Sequence, residues 1–244
     1  MRVPVGRHRP RPVRGARRHD GGRSLPARPL DLVLDQGLGC GGGGANAMSL
    51  LRRSASWRDV TLTTDRLLLR APRAGDEDGA AASVGHWEVV RMLAQVPWPY
   101  GRAEAVRYVE QAQAEMDGRR ALHFFLVDEA GIAGGFGLAF SPVSLFAPAP
   151  VLGYWLSPDR WGRGYATEAG RAVLDHAFRT MKLKAVRSGV FFDNPASLRV
   201  QEKLGFEVVG RSEVFCLARA KTLSHIDTLM TRDRYFERRA EEGR

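Results

Sequence analysis

The chain has 244 residues and a formal net charge of +10, with 33 arginines against 4 lysines and two cysteines, Cys40 and Cys216. That length holds one good core or two small ones; two distant cysteines exclude a disulfide framework and a cysteine-rich zinc site; and no apolar run approaches a membrane span. The charge invites a nucleic-acid reading, but residues 1–58 carry +9 and residues 59–244 only +1, so the basicity belongs to a tail and not to the folded part.

Residues 1–58 are dominated by Arg, Pro and Gly and sustain no hydrophobic period. Such a segment buries too little apolar surface to offset its ordering entropy, and it is expected to be a disordered tail. Two accounts of it stay open: an acidic or nucleic-acid partner, and a start assigned too early, with Met48 as the first residue. The segment has no apolar core of a signal peptide, which together with the cysteine usage fits the cytoplasm.

From residue 59 the chain reads as a single domain. "RLLLRA" (66–71) predicts a strand, "GDEDGAAASV" a helix with acids in its first turn, and "HWEVVRML" a short second helix. "PWPYG" is a turn whose Trp98 and Tyr100 are candidates to line a ligand groove. "RAEAVRYVEQAQAEMD" is an amphipathic helix ending at Gly118. "HFFLVD" and "IAGGFGLAF" form a hairpin, and "VLGYWLS" is a further strand. A helix over 167–181 follows, then the strand "AVRSGVFF". "PASLRVQEKL" is a helix with Pro195 at its start and Gly205 at its close. "FEVVGRS" and "SHIDTLMT" are strands, and "RDRYFERRAEEGR" is a charged terminal helix. This mixture predicts an α/β (α+β) fold around a mixed, mostly antiparallel sheet flanked by helices.

The stretch "DRWGRGYATEAG" (159–170) carries the chemistry. Gly162 and Gly164 stand between a strand and a helix. A helix N-terminus exposes unpaired N–H groups and about half a positive charge. Glycines let a ligand approach the backbone and adopt positive φ. Together they predict an anion site, to which Arg160 and Arg163 add charge. The loop is neither G-x-x-x-x-G-K-[ST] nor G-x-G-x-x-G, which removes support for nucleotide hydrolysis and dinucleotide binding.

In full, "GYWLSPDRWGRGYATEAGRAVLDHAF" resembles the acetyl-CoA-binding segment of the GNAT superfamily of N-acetyltransferases. Within it the segment is similar to the Rim-type, ribosomal-protein N-terminal acetyltransferases. "TDRLLLR", "FFDNPASLRVQEKLGFEVVGRSE" and "HIDTLM" resemble further segments of that family in the same order, covering residues 60–236. The family's loop is [QR]-x-x-G-x-[GA]. Gly164 and Ala166 match it, and Trp161 stands where Gln or Arg is usual.

The resemblance implies a splayed pair of strands holding acetyl-CoA as co-substrate, with the pyrophosphate on the loop formed by Trp161, Gly162, Arg163, Gly164, Tyr165, Ala166 and Thr167. It implies direct acetyl transfer to a primary amine, either a protein N-terminus or a small amine. The backbone N–H of Leu156 is the candidate oxyanion donor. Asn194 and Ser197 match the family's CoA-contacting Asn and candidate thiolate-protonating acid. Gln201 stands where many relatives have the acidic Tyr, so that acid is absent at its usual position. Glu213 is the candidate base, and Glu88 a second one. The scattered histidines, His225 among them, show no metal-binding spacing. Expected partners are acetyl-CoA and the amine acceptor, with no metal, membrane or nucleic acid, in a monomer or homodimer. An acyl-CoA-binding module without turnover is the alternative.

Overall fold

A computed structural model of the chain describes residues 56–140 and 149–242. The expectations for the tail and for Met48 lie outside the described residues. Eight strands make one sheet: β1 (Leu62–Thr63), β2 (Leu68–Arg70), β3 (Ala121–Asp128), β4 (Gly131–Ala139), β5 (Val151–Leu156), β6 (Ala185–Phe191), β7 (Glu207–Cys216) and β8 (Lys221–Thr231). Their spatial order is β1-β2-β3-β4-β5-β6-β8-β7, and every neighbouring pair is antiparallel except β5 and β6. The helices are α1 (Glu77–Val84), α2 (Trp87–Val90), α3 (Arg102–Asp117), α4 (Tyr165–Asp175), α5 (Pro195–Leu204) and α6 (Arg232–Glu242). The mixed, mostly antiparallel sheet flanked by helices is the architecture expected from the sequence. The described fold already contains Trp57, whose ring packs 5.3 Å from that of Phe140.

Helices cover both faces of the central strands. This is why "FFLV" (124–127) in β3 reads as an unbroken apolar run instead of alternating. Phe124 joins the larger core with Phe136, Leu138, Leu152 and the α4 residues Ala169 and Val173. Its neighbour Phe125 points the other way, into a cluster with Ala80 of α1 and Ala105 and Val109 of α3. In α3, Ala105, Val109, Ala112 and Met116 recur at three- and four-residue spacing and are all buried, giving one apolar stripe. At its start the Glu104 carboxylate accepts the Gly101 N–H at 3.0 Å. In α4 the buried stripe includes Gly170, where a Cβ would lie 2.6 Å from a methyl of Leu204 on α5. The absent side chain therefore sets how closely α4 and α5 approach.

The turn before α4 is tied to the sheet by an ion pair. Arg160 sets Nε 2.8 Å and Nη2 3.3 Å from the two carboxylate oxygens of Asp128, at the end of β3. Both side chains are largely buried, and the Arg160 hydrogen bonds hold the Asp128 carboxyl below its usual range. Removing one partner of such a pair strands the other. Asp128→Ala is expected to cost about 2 to 3 kcal/mol in urea unfolding at neutral pH. A carboxyl with a lowered folded pKa contributes stability above its unfolded value of about 3.9, and that contribution fades as pH falls through the folded value. The deficit of Asp128→Ala relative to wild type should therefore be full at pH 7 and shrink on acidification below about pH 4.

Candidate functional site

β5 and β6 run parallel but meet at one register point, Val151 opposite Arg187. There the Arg187 N–H donates to the Pro150 carbonyl at 2.8 Å, and the Ser188 hydroxyl donates to the Leu152 carbonyl at 2.9 Å. Beyond that point the strands separate, and a cavity of about 1030 Å³ opens between them. Strand geometry fixes which backbone groups face the gap, because they point alternately to the two sides. Ser157 donates to Ala133 beside β4, while Pro150 and Leu152 direct their carbonyls toward β6. By the same alternation Tyr154 and Leu156 present their N–H and C=O to the gap. The indole N–H of Trp161 takes the Leu156 carbonyl at 3.0 Å, so the Leu156 N–H is the polar group of that residue left facing the cavity.

At the open end of β5 lies the glycine turn. Gly162 and Gly164 have φ of +74° and +81°, values that side chains rarely tolerate. A Cβ on Gly162 would meet nothing within 4 Å, so open space lies over the loop. The Gly164 carbonyl accepts from Thr167 and Glu168 at 3.1 and 3.0 Å. The amides of Tyr165 and Ala166 precede the helical ladder and have no place in it. Trp161, Gly162, Gly164, Tyr165, Ala166 and Thr167 all line the cavity. Arg163 is exposed beside it. Arg160 lines the cavity too, its guanidinium paired with Asp128 and Asp159.

The loop is clamped from behind by residues that sequence inspection passed over. Glu168, in the first turn of α4, accepts from the Thr64 hydroxyl at 2.6 Å, from the Arg66 N–H at 3.1 Å and from Arg66 Nε at 2.8 Å. Arg66 Nη1 donates to the Arg163 carbonyl at 2.9 Å, and its guanidinium lies 4.7 Å from the centre of the Tyr165 ring. The partners are about a hundred residues apart, so no local pattern announces the clamp.

On the α4–α5 side of the gap, Tyr154 stacks on Phe136 with ring centres 4.8 Å apart and sets its hydroxyl 2.7 Å from the Ser197 hydroxyl. It also donates to the Ser197 carbonyl at 3.1 Å. Burial pushes the Tyr154 phenol up to about 12, so it remains a proton carrier at neutral pH. Asn194 caps α5, accepting the Ser197 N–H at 3.1 Å, which leaves its amide nitrogen to meet a ligand. Gln201 is buried and structural. It donates to the Ser188 hydroxyl at 2.9 Å and accepts from the Thr228 hydroxyl at 2.6 Å. Arg199 and Lys203 add positive charge to the cavity lining from the same helix.

The structure does not bring Glu213 into this group. It lies opposite Ser224 on the β7–β8 ladder, is exposed, and does not line the cavity, whereas its neighbour Val214 does. Glu88 lines the cavity from α2. Trp98 packs on Trp87 at 5.3 Å, and neither Trp98 nor Tyr100 lines the cavity. Cys216 is fully buried, its sulfur 3.6 Å from the carbonyls of Arg91 and Leu93. Among the described residues no cluster of three or more His, Cys, Asp or Glu is placed to hold a metal, and no helix is long and apolar enough to cross a membrane.

Residues 66–207 match the family model described as Acetyltransferase (GNAT) domain. Among curated proteins the chain is 28% identical over 159 residues to "Uncharacterized N-acetyltransferase YoaA" of Bacillus subtilis (strain 168), covering 61% of this chain and 84% of that one. Among solved structures, RimJ of Mycobacterium smegmatis in complex with CoA-disulfide aligns with a TM-score of 0.65 at 20% identity, over 78% of this chain and 97% of that one. The ribosomal-protein-S5-alanine acetyltransferase of Vibrio fischeri aligns with a TM-score of 0.61 at 19% identity, over 72% of this chain and 99% of that one. At such identities the structural likeness speaks for the fold, while the family model spans more than half of the chain: the protein belongs to the GNAT family of acetyltransferases.

Proposed function

We propose that the protein transfers the acetyl group of acetyl-CoA to a primary amine, either a peptide N-terminus or a small amine. The observation that carries this reading is the divergence of β5 from β6 with the glycine turn at its open end. The free backbone N–H and C=O of Tyr154 suit an amide of an extended pantetheine arm, and the Leu156 N–H is left for the thioester. The amides from Gly162 to Thr167, at a helix N-terminus, suit a pyrophosphate. One ligand that carries both groups a short chain apart is a coenzyme A thioester.

The chemistry then follows from position. An acceptor amine attacks the thioester carbonyl, and the Leu156 N–H facing the gap is placed to stabilise the oxyanion. Collapse of the tetrahedral adduct expels the thiolate, which takes a proton from Ser197. Tyr154, hydrogen-bonded to Ser197 and kept protonated by burial, replenishes that proton. Asn194 holds the start of α5, and with it Ser197, in place. The tyrosine that many relatives carry one turn later is thus supplied here from β5, while Gln201 takes a core role.

Three outcomes test this account. Calorimetric titration of acetyl-CoA, with thiol release measured against a peptide beginning with alanine and against a polyamine, should show binding and turnover; binding without release on any amine would leave a non-catalytic acyl-CoA module. Gly164→Glu places a side chain at positive φ and a carboxylate beside the anion cradle, and it should weaken acetyl-CoA by at least about 100-fold, or roughly 2.7 kcal/mol. Ser197→Ala and Tyr154→Phe should each lower kcat by about 10- to 100-fold with acetyl-CoA affinity nearly unchanged. The double variant should be no worse than the poorer single one, because both serve one proton path. Additive losses would separate the two residues.

A further inference from the structure

Across the cavity from the Tyr154–Ser197 pair, on the other face of the sheet, is a second polar group that the account above leaves unused. His225 and Asp227 are two apart on β8 and so share a face; both line the cavity. On β7, His225 is opposite Ser212 and Asp227 is opposite Gly210, just past a register shift between Val208 and Gly210. The Ser212 hydroxyl donates to Asp227 Oδ1 at 2.9 Å, and His225 Nδ1 lies 2.8 Å from the same oxygen. An ionised carboxylate only accepts, so Nδ1 carries the hydrogen. In the neutral ring Nε2 then holds the lone pair. Nε2 has no protein partner among the described residues. The ring is seated where only a glycine leaves room: a Cβ on Gly189 of β6 would lie 2.2 Å from His225 Cε1. It also stands edge-on to Phe191, with centres 5.7 Å apart.

We propose that His225, oriented by Asp227, is the base that accepts the proton lost by the acceptor amine. This rests on the acetyl-transfer reading above. As the nitrogen lone pair forms the N–C bond to the thioester carbonyl, the N–H proton passes to His225 Nε2, and the C–S electrons leave with the sulfur. The thiolate is protonated from the opposite face by Ser197, and His225 returns its proton to solvent. Asp227 is a positioning residue: it fixes the tautomer and stabilises the imidazolium that forms. The other acids near the cavity fit this task less well. Asp193 is held by Arg219 at 2.6 Å and Arg91 at 2.9 Å, Glu88 is exposed, and Glu213 does not line the cavity. The charged groups lining the same cavity are Asp227 from its own strand, Arg187 from β6, Glu88 and Arg91 from α2 and the turn after it, Asp193 from the segment after β6, Arg160 from the turn before α4, and Arg199 and Lys203 from α5; Arg219 lies over the Phe191 ring against which His225 packs.

A base acts in its neutral form, and so does the acceptor amine, so kcat/KM should fall on the acid side in any case and the base is read from what its variants change. The test is the pH profile of kcat/KM for wild type, His225→Gln, His225→Ala and Asp227→Asn, with acetyl-CoA and the alanine peptide or polyamine that wild type turns over. Acetyl-CoA affinity of each is measured by calorimetry. His225→Gln should lower kcat by about 100-fold, leave on the acid side only the limb set by the acceptor amine's own proton, and leave acetyl-CoA affinity unchanged. Added imidazole should restore part of the rate of His225→Ala. Asp227→Asn, which keeps the shape without the charge, should lower kcat while the acceptor KM and acetyl-CoA affinity stay nearly unchanged, because the imidazolium that forms loses its carboxylate. Wild-type turnover with an unchanged rate and acid limb in His225→Gln would overturn this proposal alone. Where the His225 variants fail to fold, an undiminished kcat in Asp227→Asn would do the same. An inert wild type would overturn the acetyl-transfer reading, and this one with it.

Discussion

Buried backbone N–H and C=O groups must find partners, and β5 is built so that one of its edges does not find them within the sheet. After Val151 pairs with Arg187, β6 turns away and β5 continues alone on that side. The protein answers part of the deficit itself, through the Ser188 hydroxyl on Leu152 and the Trp161 indole on Leu156. The groups left over, on Tyr154 and Leu156, line the cavity walls. The short turn from Ser157 to Trp161 carries the chain from this open edge directly to the glycine loop, and Arg160 pins that turn to β3. The open strand edge and the helix start after the glycine loop are therefore held in one fixed relation. Their separation is set by covalent chain and one buried ion pair.

Much of the fold was legible because its signals are local. The buried stripe of α3, the proline and asparagine that start α5, and the apolar run of β3 each belong to one element. The glycine turn was legible for the same reason: positive φ and a helix start are properties of a few adjacent residues. The limits show where pairing decides. α4 begins at Tyr165, two residues ahead of the 167 expected, because Gly164 serves as its cap. β7 runs to Cys216, well past "FEVVGRS", because β8 supplies partners along it; most of its side chains are exposed, so no apolar alternation marks its length.

The site was legible at the loop and much less so around it. Ser197, Asn194 and the loop residues other than Arg163 line the cavity. Tyr154 reads in sequence as core, and its ring is indeed half-buried against Phe136; only the tertiary fold brings its hydroxyl to Ser197, 43 residues on. Glu213 illustrates the opposite error. In a strand the face of a side chain flips with every residue, and β7 shifts register between Val208 and Gly210. Whether residue 212, 213 or 214 faces the cavity thus depends on an irregularity that composition does not reveal.

The same alternation gives the site its two-sidedness. Along β5, Tyr154 faces the α4–α5 side and Trp155 faces Phe125 and the α1–α3 side. Along β6, Ser188 bonds to Gln201 of α5, while Gly189 faces the ring of His225. Where the strands part, the two faces become one continuous cavity. The hydroxyls of Tyr154 and Ser197 lie on the first face, and the imidazole of His225, held by Asp227, lies on the second. A thioester threaded along β5 would place its carbonyl at the seam. Amine and leaving group would then meet different walls, and the proton removed from one need not be the proton given to the other. That separation has a consequence for the proton balance: a single group could hand the amine's proton on to the thiolate and end each turnover as it began, whereas two groups on opposite faces must each be reset by solvent, the Ser197–Tyr154 pair gaining a proton and His225 losing one.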